Sequence, residues 1–381
     1  MRYKIDEIVQ LIMDYRGKTP KKLGMNWTES QKDIIALSAK NIKDNKIVNT
    51  DKSHYGSELL YKHWMKDGDI EPGDILMTSE APLGEIYLVS KPIKAILSQR
   101  LFLLRFNKKI VNPWYMYAFM NSQSFKNQLL LRATGTTVVG IKQKDLRKIE
   151  VELPSRELQN KIGSIFQFLY KKIHINGRIN DNLFELAKIF FDYVKTSTTK
   201  KFSDIVSIQN GFAFKSKNYV KDKQLVILRT KNINSNNLFE SKDVVYIPYS
   251  LKDQYSRFAF KKFDSVLVMI GSNIGKTGFV TSNNLPSLQN QNMWRFRSTN
   301  KNISGLLIYE YVNFINNKVK NSAVGSARAF YKKELFVDYP VPIIKKDNNF
   351  VFKKLELEIN NICKETDTLL LLKELLLNIY F

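Results

Sequence analysis

The sequence predicts an α+β (mixed α/β) protein: two similar globular domains separated by two long helices packed as an antiparallel coiled coil. Three observations predict it. Blocks of residues recur in order at a nearly constant offset, short apolar runs alternate with helical stretches, and each copy ends in a long amphipathic segment.

IIALSAKNI (34–42) is answered by LVILRTKNI (225–233), so Lys40-Asn41-Ile42 returns as Lys231-Asn232-Ile233, an offset of 191 residues. ILMTSEAPLGE (75–85) answers VLVMIGSNIGK (266–276), with Gly84 on Gly275 at the same offset. SQRLFLLR (98–105) faces NQNMWRFR (290–297), and ATGTTVVGIKQKDL (133–146) faces AVGSARAFYKKEL (323–335), with Gly135 on Gly325. The copies end alike, at Pro154 and Pro342. Each block is short; their shared order argues for duplication.

The runs Ile34 to Leu37, Ile75 to Met77, Leu101 to Phe106 and Val266 to Ile270 are apolar and bounded by Gly, Pro, Asn or Asp, which predicts buried strands. Asp69-Ile70-Glu71-Pro72-Gly73-Asp74 predicts a turn ahead of a strand. Trp114 to Leu131, and its counterpart Leu306 to Val319, read as helices.

The first long helix is predicted from about Ser155 to Tyr193. Its seam is Ile162, Phe166, Leu169, Ile173, Asn176, Asn180, Leu183, Ala187 and Phe190. At ~1.5 Å per residue it would reach roughly 55–60 Å unbroken. Asn176 and Asn180 in a seam penalise slipped registers; alternatively Asn176-Gly177 breaks the helix, since Gly costs ~1 kcal/mol there. The second is predicted from about Phe350 to Tyr380, with Leu355, Ile359, Ile362, Leu369, Leu372, Leu376 and Ile379 on one face. The chain then divides into residues 1–153, 154–197, 198–343 and 344–381.

Sixty Lys and Arg against 36 Asp and Glu leave a net charge of +24, an excess that a polyanion relieves. DNA fits, because cations facing phosphates release condensed counterions. A hydrophobic content of 44% excludes a disordered chain. The lone cysteine, Cys363, excludes an intramolecular disulfide and a Cys-rich zinc site, and fits a reducing cytosol. Residues 1–7 hold no apolar signal core, and the run from Leu369 to Leu377 is interrupted by Lys373 and Glu374. A soluble cytoplasmic protein is expected.

Catalytic signatures fall short. Gly275-Lys276-Thr277 would need a glycine at 270 to form a phosphate loop, and Ile270 stands there. Asn112-Pro113-Trp114-Tyr115 lacks the second proline of an adenine methyltransferase signature. His54, His63 and His174 have no partners at metal-ligand spacing, and Glu150 with Glu152 lies on a strand-like stretch.

Gly211-Phe212-Ala213-Phe214-Lys215-Ser216, Leu228-Arg229-Thr230-Lys231-Asn232-Ile233, Gly73-Asp74-Ile75-Leu76-Met77-Thr78, and Gly135-Thr136-Thr137 running to Leu153-Pro154 carry a family resemblance. So does the proline followed by a helix with Gln159, Ile162 and Asn180 to Leu186. Over nearly its whole length the chain resembles the specificity (S) subunit of a type I restriction–modification system. Gly177 and the divergence between copies, such as Pro82 against Asn273, depart from the pattern.

The resemblance implies two target-recognition domains, each reading half of a split, asymmetric double-stranded DNA target, with helical spacers setting the gap. It implies two methyltransferase subunits and two motor/endonuclease subunits as partners. S-adenosylmethionine, ATP and Mg are then expected only on those partners, and this chain is expected to be non-catalytic, with no cofactor and no metal. Three alternatives stay open: a specificity subunit serving a fused methyltransferase–nuclease, an enzyme that itself methylates or cuts, and a stand-alone DNA- or RNA-binding regulator.

Base reading needs bidentate groups, Arg toward guanine and Asn or Gln toward adenine. On loops flanking strands the candidates are Lys40, Asn41, Ser98, Gln99, Arg100, Thr136 and Thr137 in the first copy. In the second they are Arg229, Lys231, Asn232, Asn290, Gln291, Asn292 and Arg328. Residues shared by both copies equally suit a scaffold or phosphate role. Tyr246, Tyr249, Tyr255, Phe258 and Phe260, interleaved with Lys252, Arg257 and Lys261, suit a DNA groove or a core.

Overall fold

Apolar runs of four to six residues are long enough for strands and too short for helices, and the chain uses them as strands. A computed structural model describes residues 1–320 and 330–381. The first of two compact units takes in Met1–Lys171 and Leu371–Phe381. It contains β1 (Arg2–Lys4), β2 (Val9–Asp14), β3 (Ile34–Leu37), β4 (His54–Gly56), β5 (Ile75–Thr78), β6 (Ile86–Leu88), β7 (Ile96–Leu97), β8 (Leu101–Phe106), α1 (Pro113–Asn121) and β9 (Glu150–Glu152), and the chain then enters α2 (Arg156–Val194). Strands join in the orders β2-β8-β5-β6, β4-β3-β7 and β1-β9.

The second unit spans Lys172–Leu370. It contains β10 (Thr199–Lys201), β11 (Val206–Asn210), β12 (Leu225–Leu228), β13 (Val245–Ile247), β14 (Ser265–Val268), β15 (Thr277–Phe279), β16 (Ser287–Gln289), β17 (Met293–Ser298), α3 (Gly305–Val319) and β18 (Pro340–Pro342), and leads into α4 (Lys346–Tyr380). Its sheets run β11-β17-β14-β15, β13-β12-β16 and β10-β18. Apart from a short hairpin in the first unit, Ile42–Lys43 with Lys46–Ile47, this is the topology of the first unit. Each unit also has a parallel pair among antiparallel ones: β3 with β7 (Ala36↔Ile96) and β12 with β16 (Ile227↔Leu288). The repeat read in the sequence is a repeat of fold.

Both central sheets bury their strands on two faces, which is why β5 and β14 read as continuous apolar runs without alternation. The turn before each carries a buried carboxylate. Asp74 Oδ2 accepts from Glu71 N at 2.8 Å and from Arg105 Nη2 at 2.8 Å, and Oδ1 accepts from Arg105 Nε at 2.9 Å. Asp264 repeats this with Lys261 N at 2.7 Å and with Arg297 Nε and Nη2 at 2.7 and 2.6 Å. The bond to Asp74 raises the pKa of Arg105. In the second unit Arg295 goes the other way, down to about 10, because it is buried and lies beside Arg297.

Helix α2 runs through Asn176 and Gly177 without a break. Inside the second unit it packs antiparallel to α4. Phe190 meets Phe352 with ring centroids 5.4 Å apart, Asn180 Nδ2 donates to Cys363 Sγ at 3.5 Å, and Asn176 Nδ2 donates to Glu365 Oε2 at 2.9 Å. Burial pushes the Cys363 thiol up to about 12.

Two details differ from the sequence reading. Trp114 to Leu131 is two helices, α1 and a second over Gln123–Arg132. They part at Ser122, whose extended backbone (ψ 160°) stops the first while its hydroxyl accepts from Phe125 N at 3.2 Å to cap the second. On α4, Leu372 and Ile379 are exposed while Leu377 and Phe352 are buried. A 3.6-residue turn carries the buried face one position past the count that placed Leu372 and Ile379 there. Among the described residues, no helix is long and apolar enough to cross a membrane.

Candidate nucleic-acid interface

A parallel strand pair brings two chain reversals to its carboxyl end, and in the first unit these hold most of the candidate residues. The turn after β3 carries Lys40 and Asn41; the turn after β7 carries Ser98, Gln99 and Arg100. Ser98 N donates to Leu37 O at 2.7 Å and Ala39 N to Gln99 O at 3.1 Å, so main-chain bonds lock the turns together. Asn41 has no exposed surface: Oδ1 accepts from Ser38 N at 3.0 Å, and Nδ2 donates to Val48 O at 3.0 Å and Ser53 Oγ at 2.8 Å. Ser98 is buried too. Lys40 is exposed, with Nζ donating to Lys52 O at 2.6 Å.

Gln99 and Arg100 are exposed. Arg100 takes a left-handed backbone (φ 63°) and sets its Nε 2.8 Å from Glu80 Oε1. Ser79 joins this turn to the next loop: its N donates to Arg100 O at 2.9 Å and its O accepts from Ile141 N at 2.9 Å. The loop is closed by reciprocal bonds between Thr134 and Gly140 at 2.8 and 2.9 Å, and Thr136 and Thr137 lie exposed within it.

The second unit repeats the clasp. Asn290 N donates to Leu228 O at 3.1 Å, Met269 N to Asn292 O at 3.1 Å, and Tyr331 N to Met269 O at 2.9 Å. Asn232 takes the role of Asn41: buried, with Oδ1 accepting from Arg229 N at 2.9 Å and Nδ2 donating to Lys242 O at 2.8 Å. Arg229 is half-buried and its Nη2 donates to Asp243 O at 2.6 Å. Asn290 is buried; Lys231 and Gln291 are exposed; Asn292 is half-buried and left-handed (φ 71°). Arg328 lies outside the described residues. The main chain at Gly211 comes so close that a Cβ there would stand 1.8 Å from Asn290 O, a position only glycine fills.

The aromatic stretch divides. Phe260 is core, while half-buried Tyr255 and Phe258 pack on Phe212 with centroids 5.1 and 5.0 Å apart. Tyr246 is half-buried and Tyr249 exposed, the latter accepting from Lys252 Nζ at 3.1 Å. Arg257 Nε donates to Gln209 Oε1 at 3.1 Å, and Lys261 is exposed. Gly275-Lys276-Thr277 is no phosphate cradle: Lys276 Nζ donates to Ile233 O at 2.5 Å and Thr277 sits in β15 against the Tyr309 hydroxyl at 3.2 Å. His54 stacks on Trp27, and among the described residues no three His, Cys, Asp or Glu side chains gather as a ligand set.

Two residues went unnoticed in the sequence. Glu80 pairs with Arg100, and Arg16 holds Asp14 (Nη2 to Oδ2, 2.6 Å), covers the Phe102 ring at 4.7 Å and donates to Ile141 O at 3.2 Å. Only the Asp14–Arg16 pair is local enough to leave a trace in sequence.

Exposed ammonium, guanidinium, amide and hydroxyl groups on main-chain-anchored loops are the means of touching phosphates and base edges. Residues 1–184 match the family model of the type I restriction modification DNA specificity domain. That match takes in Met1–Lys171 of the first unit and the first part of the long helix α2. The chain is similar to the type I restriction enzyme MjaIX specificity subunit of Methanocaldococcus jannaschii, 22% identical over 324 residues that take in 76% of this chain and 72% of that relative. Among solved structures, it is similar in fold to the S subunit of a type I restriction–modification system from M. genitalium. That match has a TM-score of 0.51 at 15% identity, covering 99% of this chain and 94% of the other. The clasps of the first unit also hold the loops of the second, which the family model does not cover.

Proposed function

We propose that this chain is the sequence-reading subunit of a type I restriction–modification complex, each unit reading one half of a bipartite, asymmetric target in double-stranded DNA. One observation carries the reading: a single fold occurs twice with the same main-chain clasps but different side chains on display. Arg100 stands in the first unit where Asn292 stands in the second, while Gln99 and Gln291 match. One scaffold with two sets of donors suits two unlike half-sites. The net charge of +24 adds sequence-independent attraction to phosphates.

On this reading the chain is cytoplasmic, has no catalytic centre and holds no cofactor. S-adenosylmethionine, ATP and magnesium belong to two methyltransferase and two motor/endonuclease subunits that assemble on it. The exposed Phe168, Ile175 and Ile189 of α2 and Leu357 and Leu375 of α4 support docking on the helices. The test is co-expression with the methyltransferase subunit and genome-wide mapping of methylated adenines. A split motif with an unread gap, lost when this chain is omitted, is expected; a continuous motif, or methylation that persists without the chain, overturns the proposal.

A further inference from the structure

Arg100 and Asn292 occupy the same place in the two units. Each is left-handed (φ 63° and 71°), and the carbonyl of each accepts a bond from the strand-end residue facing it, Ser79 N at 2.9 Å and Met269 N at 3.1 Å. Next along the chain the pattern continues: Glu80 bridges to Gly140 as Ile270 bridges to Phe330. The surroundings then diverge. Glu80 reaches Arg100 Nε at 2.8 Å, whereas Asn292 has the apolar Ile270 in the corresponding position. Gly140 leaves room for that carboxylate, since a Cβ there would stand 3.1 Å from Glu80 Oε2.

From this equivalence we infer that one structural position reads a guanine in one half-site and an adenine in the other, through Arg100 positioned by Glu80 and through Asn292. The inference rests on the DNA-reading function proposed above and names its specificity residues. A free arginine on a loop samples many rotamers. A carboxylate on Nε fixes the guanidinium plane and leaves the terminal amino pair to meet guanine O6 and N7 side by side. An asparagine amide needs no counter-charge to bond adenine N6 and N7, and Ile270 supplies none. Glu80 is thus a positioning residue.

The experiment is selection of the full chain on a pool of random-sequence duplexes, with sequencing of the bound fraction. Wild type should give a motif with an Arg100-dependent guanine in one half and an Asn292-dependent adenine in the other. Arg100→Lys, which keeps the charge but not the paired donors, and Glu80→Gln should each lower preference at that guanine about ten-fold or more, leaving the other half-motif intact. Asn292→Ala should do the converse, and Glu80→Asp should restore part of the guanine preference. A merely structural Glu80 would lower the melting temperature without changing the motif. An unchanged guanine in both Arg100→Lys and Glu80→Gln overturns the inference while leaving the proposed function standing. A pool that yields no motif with wild type overturns the proposed function itself.

Discussion

Asp74 has no exposed surface and Arg105 only 13%, so each depends on the other for the solvation that folding removes. Their bond also fixes the turn that feeds β5, because the carboxylate holds Glu71 N as well. Asp74→Ala should cost about 3–5 kcal/mol, most of it from the guanidinium left without its buried partner. Urea unfolding reads the loss, and one under about 1 kcal/mol would mean that Glu71 alone suffices. Glu310 is a different case. Burial pushes its carboxyl up to about 8 from an ordinary 4.5, with Lys188 opposing and Asp192 adding to the shift. Between those values the folded chain holds a proton that the unfolded chain has released, so the stability linked to this group is present below about pH 4.5 and lost as pH rises toward 8. Glu310→Gln removes that dependence. Its melting temperature should gain on wild type steadily from pH 5 to pH 8, and a gap that stays constant would rule the linkage out.

Helix α2 shows how an element can override a local weakness. Gly177 disfavours helix, yet the helix continues through it because Asn176 and Asn180 on one side and Ala187 and Phe191 beyond are held by packing. A Cβ at 177 would meet nothing within 4 Å. Gly177→Ala should therefore stabilise by about 1 kcal/mol, read as a higher urea midpoint at unchanged slope. No gain would place strain at a turn that shows none. Apolar periodicity runs straight through Ser122, where a hydroxyl cap ends one helix and begins the next. It likewise misplaces Leu372 by one step, because face drift accumulates over many turns.

Across the molecule, the duplicated topology was legible because the strings that repeat most clearly do structural work. Lys-Asn-Ile recurs because Asn41 and Asn232 tie down their own loops with buried side-chain bonds. The same fact made the interface harder to read. Residues that match between copies drew attention as DNA contacts, yet Asn41 and Asn232 are sealed inside, and Ser98 and Asn290 are buried. The Glu80–Arg100 pair left no local trace, since it joins two loops whose meeting depends on the β3–β7 and β5–β8 pairings.

The clasps have one more consequence. In each copy the loops hang from peptide groups, Ser79 to Arg100 and Ile141 or Met269 to Asn292 and Tyr331, and every peptide offers those groups whatever residue it carries. Mutational drift can therefore rewrite the outward letters of one copy without unfastening its frame. On the proposed function, the address can change one half at a time.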